Sequence, residues 1–144
     1  MKQILFGLAF LLSSLSARAA DPVYAKGGLA LGGFDPVAYF TDAKPVKGKA
    51  EFETTWNGAR WRFASAEHRD SFQADPARYA PQFGGYCAYG VSKGHKAPTE
   101  ADAWRVVDGK LYLNYNKDVQ RLWEKELPTV IGEAEKQWPA VLAK

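Results

Sequence analysis

The chain has 144 residues, 47% hydrophobic, 14% aromatic and 24% charged, with a formal net charge of +3. That length holds one domain with at most a small extension, and the composition is too apolar for disorder and too mixed for a coiled coil. A single Cys excludes an internal disulfide and every all-thiolate zinc or iron–sulfur site within one chain.

The first residues read as an export signal. Lys2 precedes an apolar run from Ile4 to Leu12, interrupted only by Gly7, and Ala17-Arg18-Ala19 is a small-residue cleavage pattern. The run falls short of the ~20 residues a spanning helix needs, so the expectation is a cleaved signal over 1–19 and no retained membrane anchor. No Cys follows the run to carry a lipid. Residues 20–32 are expected as a flexible lead-in and 33–140 as the domain with its C-terminal helical extension. Cleavage removes Lys2 and Arg18, and with them two of the three net positive charges. The remaining Lys and Arg are dispersed, so nucleic acid is not an expected partner. The expected location is the periplasm or the exterior of the cell.

The domain reads as α+β, a small single domain with two β-hairpins. Asn57-Gly58 is a preferred type I′ pair; it opposes Trp56 with Ala59, Thr54 with Trp61 and Phe52 with Phe63 on one face. The other face carries Glu53 with Arg62 and Thr55 with Arg60. A short helix follows, with Ser65 as N-cap and Phe72 as its apolar anchor, and Asp75-Pro76 starts a fresh turn. Asp108-Gly109 turns the second hairpin, opposing Val106 with Leu111 and Trp104 with Leu113, while Arg105 and Tyr112 share the other face. Last comes a helix capped by Asn116, with Val119, Leu122, Trp123, Leu127, Val130, Ile131, Ala134 and Trp138 at helical spacing and Pro128 as the interruption. It is expected to cover the one-sided hairpins.

Three side chains beyond Ala19 are strong nitrogen or sulfur donors: Cys87, His68 and His95. Cys87 follows Gly84-Gly85-Tyr86; a helix starting near Gly85 would favour its thiolate, able to bind a soft metal or attack an electrophile. A buried, inert thiol is the competing reading. His68 lies on the same helix side as Phe72, facing the core or its rim. His95 lies in the polar loop Ser92-Lys93-Gly94-His95-Lys96. One Cys and two His suit copper or zinc, but no metal-ligand spacing motif links them. Phosphate loops, haem-attachment sites and serine-hydrolase elbows are all lacking.

The segments Gly33-Phe34-Asp35-Pro36-Val37-Ala38-Tyr39-Phe40, Phe63-Ala64-Ser65-Ala66-Glu67-His68-Arg69 and Asp75-Pro76-Ala77-Arg78-Tyr79 resemble the YHS domain. Gly84-Gly85-Tyr86-Cys87-Ala88 and the stretch from Asp108 to Asn116 are similar to its stand-alone exported bacterial form. The family is related to TRASH-like modules of heavy-metal sensing and trafficking, whose metal-linked versions read Asp-Pro-Val-Cys early and Phe-Cys-Ser-x-x-Cys later. Here those cysteine positions hold Ala38, Ala64 and His68.

The leading expectation is a non-enzymatic exported protein that binds or traffics a transition metal, copper first, at Cys87, His68 and His95. The second is a protein-interaction or small-ligand module, with another periplasmic protein among its partners and Cys87 as a structural residue. The third is thiol redox or nucleophilic chemistry at Cys87. Oligomeric state is not legible.

Overall fold

A computed structural model describes residues 21–144; the expected signal peptide at 1–19 lies outside them. Strand β3 (Lys49–Trp56) and strand β4 (Ala59–Phe63) form the first hairpin. Asn57 and Gly58 take φ of 50° and 79°, the left-handed pair a type I′ turn requires. Trp56 pairs with Ala59 and Thr54 with Trp61 as the turn dictates. Beyond Glu53 the register shifts, so Phe63 faces Lys49 rather than Phe52. A bulge at that place leaves Phe52 partly buried at the core margin.

The stretch expected as a flexible lead-in is part of the sheet. Strand β1 (Ala25–Lys26) turns through Gly27-Gly28 into strand β2 (Leu29–Ala30), which pairs in parallel with β4, giving the order β1-β2-β4-β3. The Arg60 N–H donates to the Gly28 carbonyl at 3.1 Å, and Ala30 and Leu31 are buried. A two-residue strand carries no periodicity to read, which is why the alternation rule passes over it.

Helix α1 (Ala38–Thr41) precedes the hairpin, and helix α2 (Ala66–Ala74) follows it. The Ser65 hydroxyl accepts the His68 N–H and caps α2, as expected. Helix α3 (Pro76–Tyr79) begins with Pro at its first turn, although Asp75 makes no side-chain cap. Helix α4 (Ala88–Ser92) leads to the second hairpin, strands β5 (Trp104–Val107) and β6 (Lys110–Leu113), in the expected register. Helix α5 (Lys117–Lys125), capped by Asn116, and helix α6 (Thr129–Leu142) are separated at Pro128, as expected.

The apolar residues gather in two clusters. Trp61, Phe63 and Phe72 stack in the first, with Val37, Tyr39, Leu111 and Leu113. Tyr112, Trp123, Val91, Val130 and Ala134 build the second. The second hairpin is therefore not one-sided: β6 sends Leu111 and Leu113 one way and Tyr112 the other. The C-terminal helices pack against α4 and Tyr112, while α2 closes the first sheet. Leu122, expected on the apolar stripe, is exposed.

Phe72 is the anchor of α2, fully buried and with its ring centroid 5.0 Å from that of Trp61. Phe72→Ala is expected to lower unfolding free energy by about 3–5 kcal/mol, read as an earlier urea midpoint at unchanged slope.

Candidate functional site

Asp35 is fully buried and accepts from four donors. Its Oδ1 takes the N–H of Val37 at 2.8 Å and of Ala38 at 3.3 Å. Its Oδ2 takes the N–H of Ala64 at 2.9 Å and Nδ1 of His68 at 2.6 Å. The Asp-Pro pair places the carboxylate at the start of α1, where orphan N–H groups need an acceptor. A buried carboxylate without such partners would cost several kcal/mol. A carboxylate only accepts, so Nδ1 of His68 carries the proton and, in the neutral ring, Nε2 is left as the acceptor. Nε2 lies 3.4 Å from the Thr41 hydroxyl, and the side chain is 19% exposed. The result is an imidazole fixed in tautomer and orientation by a carboxylate behind it, with its second nitrogen facing the Thr41 hydroxyl on a partly exposed side chain. That is the arrangement in which a histidine contacts a metal.

The three positions that hold cysteine in the metal-linked members of the resembled family thus meet at one carboxylate. Ala38 and Ala64 supply N–H groups to it, and His68 supplies an imidazole.

Cys87 is elsewhere and differently employed. It is the N-cap of α4, with its Sγ accepting from the Gly90 N–H at 3.4 Å and the Tyr115 N–H at 3.2 Å. Its S–H donates to Asn114 Oδ1 at 3.6 Å, and the residue is 2% exposed. The helix starts at Ala88 rather than near Gly85, with Cys87 as its N-cap, and the expected thiolate does not follow from it. Burial pushes the thiol above its ordinary pKa and outweighs the N–H groups that pull the other way. The neighbouring glycines have a packing use: a Cβ on Gly84 would sit 1.8 Å from the Pro22 carbonyl oxygen.

His95 is exposed, and its backbone N–H donates to the Gly90 carbonyl at 2.9 Å. Its imidazole makes no ion pair among the described residues. Among those residues no group of three or more His, Cys, Asp or Glu is placed to hold a metal ion. The three-ligand set of Cys87, His68 and His95 is therefore not assembled: His68 stands on α2 against the first sheet, and Cys87 caps a helix of the second cluster. The donors fit an open metal contact at one imidazole and do not fit a closed, resident centre, which needs four ligands.

Asp35 and Asn114 are the residues that sequence reasoning passed over as site components. An Asp before Pro at the head of a helix is a legible cap, which would have found Asp35. Nothing local marks Asn114, whose Oδ1 also accepts the Tyr89 N–H at 3.1 Å.

Two outcomes follow from this geometry. Asp35→Ala orphans three backbone N–H groups and the imidazole, and is expected to cost about 3–5 kcal/mol in chemical denaturation. Cys87 is expected to resist iodoacetamide in the native protein at neutral pH and to react at once in denaturant. Equal rates in the two states would contradict a buried, neutral thiol.

Comparison with known proteins adds one match: the family model of the YHS domain covers residues 37–83. That interval includes Ala38, Ala64 and His68; Asp35 lies just before it, and Cys87 just beyond. No curated protein and no solved structure matches the chain. The match to the YHS domain spans about a third of the chain and supports the resemblance drawn from the sequence over residues 37–83.

Proposed function

We propose that this chain is an exported, non-enzymatic accessory protein that contacts a transition metal, copper first and zinc second, through Nε2 of His68. The observation that carries the reading is the 2.6 Å bond from His68 Nδ1 to buried Asp35, which orients the ring and leaves its other nitrogen as the acceptor on a partly exposed side chain. The match of residues 37–83 to the YHS domain, a family whose metal-linked versions the sequence resembles, supports it. A single imidazole makes an open, exchangeable contact, suited to passing a metal on rather than storing it. Water or a periplasmic partner supplies the remaining ligands.

Cys87 belongs to the scaffold in this reading. Its burial and its raised pKa argue against the thiol-chemistry alternative. Export rests on the N-terminal sequence and predicts an Ala20 N-terminus in the secreted protein, checked by intact-mass measurement. Among the described residues no helix is long and apolar enough to cross a membrane.

Calorimetric titration with copper(II) and zinc(II) tests the metal reading. His68→Gln is expected to weaken binding about tenfold or more, the order seen when a ligand's support is lost. Cys87→Ser and His95→Gln are expected to bind as the wild type does. Unchanged affinity in His68→Gln would overturn the assignment.

A further inference from the structure

A cavity of 580 Å³ lies between the N-terminal strands and the segment that leads into β5. Its volume falls within the range of small-molecule sites. Lys26 and Lys47 line it from the N-terminal part of the chain, and Glu100 and Asp102 line it from the other segment. Among the described residues none of these four side chains makes an ion pair, although opposite charges share one cleft. Elsewhere on the surface acids and bases do meet: Glu53 bonds Arg62 at 2.8 Å, and Arg105 bonds Glu124 at 3.0 Å.

The walls are fixed rather than loose. The Thr99 hydroxyl donates to the Gly85 carbonyl at 2.7 Å, and the Tyr39 hydroxyl donates to the Ala101 carbonyl at 2.7 Å. These two bonds pin the acidic segment on both sides of Glu100. Opposite, the backbone at Lys47 is held by its bridge to Phe34 and that at Lys26 by its pairing with Leu29, while both lysine side chains are exposed. Leu31 and Phe34 provide apolar surface, and Leu31 sits at φ 55°, a left-handed conformation a leucine rarely adopts. Strain of that kind persists where the surroundings over-determine the backbone, and it gathers at binding sites.

We propose that this cavity binds a zwitterionic small ligand carrying a free carboxylate and a free ammonium group, an amino acid or a short peptide. The carboxylate lies toward Lys26 and Lys47, the ammonium toward Glu100 and Asp102, and an apolar side chain rests on Leu31 and Phe34. Charge-assisted hydrogen bonds at both ends fix orientation, and the cleft concentrates the field between them. The site is separate from His68 and stands or falls without the metal reading.

Heteronuclear NMR titration of the purified protein tests this, with leucine, leucyl-leucine, N-acetyl-leucyl-leucine and leucyl-leucine amide as probes. Saturable shifts at residues 24–34 and 99–102 are expected with leucine or leucyl-leucine. The tighter of the two tells a free amino acid from a peptide. Blocking either terminus is expected to weaken binding about tenfold, and Lys47→Gln or Asp102→Asn by a similar factor. Both positions are exposed, so the variants keep the fold; Arg121→Gln, outside the cavity, is expected to bind as the wild type does. No saturable shift with either free ligand, equal binding of the blocked forms, or unchanged affinity in both charge variants would overturn the proposal.

Discussion

Asp35 is a carboxylate with no solvent around it, and the structure near it is arranged to supply what water would have supplied. Its donors come from the first turn of α1, from the end of β4 and from the side chain of α2. Three segments separated in sequence by a hairpin and a loop are thereby held at one point. The cost of leaving such a group unpaired exceeds the net value of any single bond to it, so the whole junction forms or none of it does. His68 inherits its orientation from that junction, and the position of Nε2 facing the Thr41 hydroxyl is a consequence of a requirement in the interior.

Elements that carry their own local chemistry were legible in the sequence. Asn57-Gly58 and Asp108-Gly109 specify turns through two consecutive positive φ angles, and Ser65 and Asn116 each offer an oxygen to an orphan helix N–H. Those decisions are made within four residues and survive folding unchanged. What escaped was set by longer contacts. The bulge between Lys49 and Glu53 arises where the end of the strand adjusts to the rest of the sheet, and β1 and β2 exist only because β4 offers an edge. Alternation marked Tyr112 correctly as facing away from Leu111, yet it could not say that a second cluster waited on that side.

Cys87 shows how two correct principles can compete. A helix start and backbone N–H groups favour the thiolate, and both are present. Burial acts on the same sulfur and is the stronger influence, because desolvating a charge costs more than these bonds return. The sequence shows the helix start plainly and the burial hardly at all. The three positions where the resembled family carries cysteine, Ala38, Ala64 and His68, lie together in space around Asp35.

Strand β6 is a wall shared by two rooms. Leu111 and Leu113 belong to the cluster under the first sheet, while Tyr112 between them packs on Trp123 with the C-terminal helices. Neither cluster can loosen without pulling alternate residues of one short strand out of the other. The two halves of the molecule are therefore mechanically coupled, and amide exchange should find them opening together as one cooperative unit rather than as two foldons.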